Sequence, residues 1–201
     1  EEIVLDLFHD AAADERLASR ITLVAHSGFG RREMAPFSDV DLMLLHPFKT
    51  DEELLPLVRP FTHHLFDLGL EIGFSARSVN QACDLAMGDA TIFTALSESR
   101  LLYGDAELYE QFDARFRRMT RRHWRKLVPL VESARKEERT KYGETNFLLE
   151  PNVKRSRGGL RDLQLVRWIG FARYGESEPD GLMQAGRLTR EDQRELRKAR
   201  N

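Results

Sequence analysis

The stretch DVDLMLL, residues 39–45, restricts the fold more than any other in the chain. Side chains of a strand alternate between its faces, so Asp39, Asp41, Met43 and Leu45 share one side while Val40, Leu42 and Leu44 take the other. The second set is a core face. It makes 40–46 a strand laid on apolar packing and aims both carboxylates the same way. Like charges held that close repel, and a divalent cation between them removes the conflict. Carboxylate oxygens combined with phosphate oxygens and water are the ligands that Mg²⁺ prefers. Glu71 lies between Leu70 and Ile72 in the next strand-like run, LEIGFSAR (70–77), and faces away from both. If that run pairs beside 40–46, three carboxylates converge, enough for the two-metal arrangement used for in-line displacement at phosphorus. The competing reading is a solvated turn at the start of a strand.

Upstream stands Ser27-Gly28-Phe29-Gly30-Arg31, inside a strand-turn-strand frame. Small residues let backbone N–H groups approach a phosphate closely, and the segment after them can open a short helix. Arg31 and Arg32 are cations suited to neutralising phosphate charge. A glycine turn alone is a hairpin or a bulge by default. Joined to the Asp-x-Asp strand it is a far more specific pattern.

The surrounding chain predicts an α+β fold. Residues 1–20 read as a helix and ITLVAH (21–26) as a short strand. The strand at 40–46 is closed by Pro47. A helix over 51–69 tolerates Pro56 and Pro60 and stops at Gly69, and Ser78-Val79-Asn80-Gln81 is a capping box that opens another. From residue 89 onward helices dominate and strand signals are few. Leu108, Phe112, Phe116 and Met119 form an apolar stripe behind a candidate cap, Asp105, and a long charged helix follows to about residue 141. Residues 142–157 read as a connector containing Pro151, and further helices start near Gly159 and after Thr189. The expected organisation is a small mixed-sheet domain over 1–90 and a helical domain over 91–201.

Charge divides along the same line. Residues 1–100 carry 8 Lys and Arg against 17 Asp and Glu, whereas residues 101–201 carry 23 against 16. Such a division suits a metal–phosphate group held between acidic and basic parts, and equally suits helical faces of different composition. The single cysteine, Cys83, excludes an internal disulfide framework and a multi-cysteine zinc site, which points to a cytoplasmic setting. No apolar run approaches the roughly 20 residues of a membrane span, and EEIVLDLFHD does not read as a signal peptide.

The block SGFGRREMAPFSDVDL (27–42) resembles the nucleotidyltransferase signature of the DNA polymerase β superfamily. NFLLEPNVKRSRGGLRDLQLVRWI (146–169) is similar to a stretch particular to the bacterial protein-PII uridylyltransferases, and LGLEIGFSARSV (68–79) and ALSESRLLYGD (95–105) fit the same family. The resemblance implies transfer of UMP from UTP to a tyrosine of the regulatory protein PII, with pyrophosphate leaving. By motif, Ser27 and Gly28 would cradle the triphosphate, Asp39 and Asp41 would bind Mg²⁺ or Mn²⁺, and Glu71 would be a third carboxylate beside the attacking hydroxyl and a further metal ligand. Gly30 and Arg31 belong to the same nucleotide-binding turn. The chain departs from the family in three places: Ser27 stands where glycine is usual, Arg32 where a small residue is frequent, and Phe74 where histidine is common. The family's full-length members also carry a UMP-removing hydrolase domain and ligand-sensing domains. His9-Asp10 lacks the partners of a hydrolase motif, so the chain reads as one part of a longer protein.

NVKRSRGGLRD (152–162) places Lys154, Arg155, Arg157 and Arg161 around two glycines before a helix. Lys154 and Arg161 are candidates for nucleotide contact, and an interdomain hinge is the alternative. RFRRMTRRHWRK (115–126) has seven basic residues in twelve, yet Phe116 and Met119 belong to the apolar stripe, so a solvated helix face outweighs nucleic-acid binding. His63, His64, His123 and Cys83 lack ligand spacing, and Trp124 and Trp168 fit helix packing. The rival functions are an adenylyltransferase of the glutamine synthetase type, a nucleotidyltransferase-like regulator without turnover, and an RNA-tailing enzyme. No membrane association is expected.

Overall fold

A computed structural model describes residues 1–12, 14–48, 51–142 and 152–200. Along the chain run α1 (Glu2–Ala11), α2 (Glu15–Ala18), β1 (Thr22–Ala25), α3 (Ser27–Gly30) and β2 (Val40–Leu45). A 3₁₀ turn (Asp51–Leu54) leads into α4 (Leu55–Asp67), followed by β3 (Ile72–Arg77), α5 (Val79–Ala86), α6 (Ala90–Leu96) and β4 (Arg100–Gly104). Then come α7 (Ala106–Tyr142), α8 (Leu160–Tyr174), α9 (Pro179–Gln184) and α10 (Arg190–Arg200). The fold is α+β, as the sequence predicts. It divides into two compact units: Glu1–Gly88 with Ile92–Phe116, and Asp89–Thr91 with Arg117–Asn201.

The first unit is built on a mixed sheet of order β3-β2-β1-β4. β1 pairs antiparallel with both β2 and β4, and β2 pairs parallel with β3. Val40, Leu42 and Leu44 enter the main core with Leu23, Ala25, Phe8 of α1 and Phe61 of α4. Phe8 and Phe61 meet edge to face, with centroids 5.3 Å apart, a geometry that aromatic quadrupoles favour. Met43 and Leu45 on the opposite face are buried too. From Leu42 onward β2 is therefore a central strand covered on both sides, and only its first turn of side chains is free to be acidic. Among the described residues no helix is long and apolar enough to cross a membrane.

Four local readings change. The helix expected over 1–20 is two helices, because the Asp14 carboxylate accepts from the N–H groups of Arg16 and Leu17 and caps a new start. Residues 100–104 form an edge strand although helices were expected there; five residues are too few to show a period of two. The apolar stripe and the charged helix after it are one helix of 37 residues, opened by Asp105 through the N–H groups of Glu107 and Leu108. A helix over 179–184, with Pro179 in its first turn, stands where the sequence marks none. The capping box at Ser78 and Gln81 is formed in both directions. Thr189 caps α10 by accepting from the Asp192 N–H at 3.0 Å. In the expected connector over 142–157, residues 143–151 lie outside the described residues, as does the start of the 146–169 block.

In the second unit Arg135 is the organising side chain, with its own side chain only 2% exposed. It donates to Asp162 Oδ1 (2.8 Å), Glu138 Oε2 (3.0 Å) and the backbone carbonyls of Arg155 (2.8 Å) and Ser156 (3.0 Å). One planar fork thereby fixes the loop before α8 to the C-terminal part of α7.

Candidate functional site

The register of the first unit puts three of its acidic residues on one face of the sheet. In the parallel β2–β3 pair Val40 faces Ile72 and Asp41 faces Gly73, and the Val40 N–H donates to the Glu71 carbonyl at 2.8 Å. Paired residues of adjacent strands project to the same side. Asp39, Asp41 and Glu71 accordingly share a face at the start of the two strands. Asp39 and Glu71 are exposed and Asp41 is half-buried. A Cβ built on Gly73 would overlap Asp41 Oδ1, so the Asp41 carboxylate lies over the glycine. Among the described residues no three histidine, cysteine or carboxylate side chains are gathered as a ready metal-ligand set. The Asp39–Asp41 pair nevertheless has donors that suit Mg²⁺, which completes its octahedron with substrate phosphates and water rather than with a full protein cage.

β1 delivers the glycine turn to that face. Ala25 pairs with Leu42, and the His26 N–H then donates to the Asp41 carbonyl at 3.1 Å. The next residue, Ser27, has φ +53, a left-handed conformation that glycine adopts freely and other residues only with strain. Arg32, at the far side of the turn, has φ +60. Both positions are ones where the resembling family carries glycine or a small residue. A Cβ at Gly28 would meet the Glu33 carbonyl oxygen at 3.4 Å, ordinary van der Waals contact that does not by itself demand glycine. At Gly30 a Cβ would overlap the Glu98 carbonyl, so packing alone demands glycine there.

The Arg31 guanidinium, expected to face phosphate, is 9% exposed and pairs with Glu33 at 2.7 Å and with Glu98. Arg32 is 70% exposed, with Glu1 at 3.8 Å. Phe74, at the position where the family has histidine, belongs to the other side of the sheet. It packs into the core against Phe61, with centroids 5.9 Å apart.

His26 is the residue that sequence reasoning missed. Its ring lies beside Ser27, with Nδ1 3.3 Å from the hydroxyl oxygen. Burial, the largest influence, pushes its pKa down. The Asp41 charge and a hydrogen bond to the Leu42 backbone push it up, and the Arg77 cation pushes it down again. The net shift is downward, leaving a neutral imidazole at neutral pH. Its position directly before the serine-glycine pair was the available signal.

Lys154 and Arg161 belong to the second unit. Lys154 is exposed. Arg161 donates to Gln164 Oε1 at 2.9 Å, lies 3.9 Å from Glu138 and stacks over Trp168 at 5.4 Å. Asp162 beside it accepts from Arg135, Arg139 and the Gly158 N–H. Burial pushes the Asp162 pKa up, but these hydrogen bonds and the Arg135 charge outweigh it and hold the carboxyl below the usual range.

The likeness to known proteins covers both units. The model of the GlnD PII-uridylyltransferase family matches residues 111–201. A bifunctional uridylyltransferase/uridylyl-removing enzyme of Novosphingobium aromaticivorans is 36% identical over 94% of the chain and 21% of its own length. Proteins of the same name from Rhodospirillum rubrum and Burkholderia orbicola are 36% and 38% identical over 88% and 90% of the chain. The chain thus spans about a fifth of the length of the curated relatives it matches. Residues 111–201 thus carry the GlnD PII-uridylyltransferase family domain, and the chain is similar over most of its length to bifunctional uridylyltransferase/uridylyl-removing enzymes.

Proposed function

We propose that the chain carries the nucleotidyl-transfer site of a uridylyltransferase that moves UMP from UTP to a tyrosine hydroxyl of PII. The observation that supports this most is the common face of Asp39, Asp41 and Glu71, reached by the serine-glycine turn through the bond from His26 N–H to the Asp41 carbonyl. Asp39 and Asp41 would hold Mg²⁺ or Mn²⁺, with Glu71 as a third carboxylate. When bound, the cation supplies the positive charge that the triphosphate and its leaving pyrophosphate require.

The chain's own residues orient the rest. Ser27 and Gly28 offer backbone N–H groups to the triphosphate. Glu71, exposed at the head of β3, faces the acceptor and draws the proton of the tyrosine hydroxyl. The tyrosine oxygen forms a bond to the α-phosphorus. The bond from that phosphorus to the bridging oxygen breaks, and pyrophosphate departs. Positioning and fixed charge carry the acceleration, and no covalent protein intermediate is needed. His26, neutral and half-buried, adds no positive charge of its own beside Asp41.

The test uses the full-length protein with PII, Mg²⁺ or Mn²⁺, and each triphosphate labelled on its α-phosphate. Label from UTP should reach PII, and the Asp39→Asn, Asp41→Asn double variant should lower that labelling by about a thousandfold. Label from ATP alone would make the chain an adenylyltransferase. Undiminished labelling by the double variant would remove the site from these residues.

A further inference from the structure

The glycine turn is held from outside by a segment that the reaction does not otherwise use. Glu98 and Arg100, in the ALSESRLLYGD block, flank the entry to β4. The Glu98 carboxylate, 3% exposed, pairs with the guanidinium of Arg31, whose Nε also donates to Glu33 at 2.7 Å. The Glu98 backbone carbonyl lies against Gly30 where any Cβ would overlap it. Arg100 donates through Nε to the Gly30 carbonyl at 3.2 Å and through Nη2 to the Phe29 carbonyl at 3.4 Å. Its other N–H groups hold the Glu1 carboxylate at 3.0 and 3.1 Å. Those two carbonyls end the short helix α3, where the Phe29 carbonyl also accepts from the Arg32 N–H at 3.2 Å. Between these contacts the backbone is in a left-handed conformation at Ser27 and at Arg32. Neither residue favours that conformation, so the surroundings have to impose it.

We propose that Glu98, acting through Arg31, and Arg100, acting through the Phe29 and Gly30 carbonyls, are positioning residues that hold the Ser27–Gly28 N–H groups in the arrangement that receives the triphosphate. The inference rests on the nucleotidyl-transfer reading above. Neither side chain needs to touch the nucleotide. Arg31 is thereby a strut of the turn and not a ligand of phosphate. Removing one strut lets the strained backbone relax, while the sheet and its core, which are made by other residues, persist.

Glu98→Gln keeps the size of the side chain and removes its charge, and Arg100→Gln removes the fork on the carbonyls. In the full-length protein each should weaken UTP binding in Mg²⁺, measured by calorimetry, about tenfold. The KM for UTP should rise to match, and the KM for PII should not move. The Arg31→Gln, Glu98→Gln double variant should be no weaker than either single one, because the pair acts as one device; independent roles would multiply to about a hundredfold. Thermal melts record whether each variant is folded. Should Glu98→Gln fail to fold, Arg100→Gln decides the question, since Arg100 lies outside the buried pair. A folded variant with unchanged UTP affinity overturns the proposal, as does an equal rise in both KM values. Failure of the unaltered protein to bind UTP would instead overturn the nucleotidyl-transfer reading itself.

Discussion

Gly73 stands opposite Asp41 in the parallel β2–β3 pair, and a methyl group at Gly73 would overlap Asp41 Oδ1. The missing side chain is the space that the carboxylate occupies. Gly73→Ala should push that carboxylate off its seat, lower kcat for UMP transfer at least about tenfold and raise the Mg²⁺ concentration needed for half-maximal rate. The melting temperature should move little, since β3 is partly exposed along its length. Steady-state rates over a Mg²⁺ titration check this, and an unchanged titration would show that Asp41 does not depend on Gly73.

Among the described residues, three other than glycine have positive φ: Ser27, Arg32 and Phe37, at +53, +60 and +64. Phe37 is also fully exposed. Its turn is closed by Ser38, whose hydroxyl accepts from the Ala35 N–H at 3.1 Å. Phe37→Gly should raise stability by about 0.5–1 kcal/mol, the relief of left-handed strain less the extra freedom of glycine in the unfolded chain. Chemical denaturation gives the midpoint and slope that decide it. A loss of stability would show that the aromatic ring is covered in solution.

Gly30 offers the opposite case. A Cβ there would overlap the Glu98 carbonyl and approach the Ala25 carbonyl at 3.1 Å. Gly30→Ala should destabilise the first unit by about 2 kcal/mol, as overpacking against backbone does. Amide exchange should show the loss concentrated in residues 25–31 and 98–100.

Asp162 sets a pH dependence. Its folded pKa is held below the unfolded value despite burial, by hydrogen bonds from Arg139, Arg135 and Gly158 and by the Arg135 charge. Its contribution is therefore fully present above the ordinary carboxylate range, near pH 4, and is lost as pH falls through the lowered folded value. Asp162→Asn should cost about 2 kcal/mol at pH 7, less than breaking a wholly buried pair because Glu138 still engages Arg135. The gap between variant and unaltered protein should narrow as the pH drops below about 4. Parallel melts across that range measure it.

Much of this was legible because it is local. Strand alternation separated Val40, Leu42 and Leu44 from Asp39 and Asp41, and the caps at Ser78, Asp105 and Thr189 are written within three residues of each helix start. What escaped was set by distance in the chain or by brevity. Nothing near Arg31 announces that its partner is Glu98, 67 residues on. β4 is too short to show its alternation, and Asp14 splits a helix whose apolar spacing runs through it. The neutral state of His26 depends on burial beside Asp41 and Arg77, which only the assembled sheet supplies.

The late arrival of β4 bears on how the protein can be dissected. A fragment ending near residue 90 would keep every acidic residue of the candidate site, yet leave β1 with a bare row of N–H and C=O groups where Arg100–Gly104 belongs. Such an open edge is a template for pairing with another molecule. The truncated piece should therefore cluster at concentrations where a fragment carried through Phe116 remains monomeric.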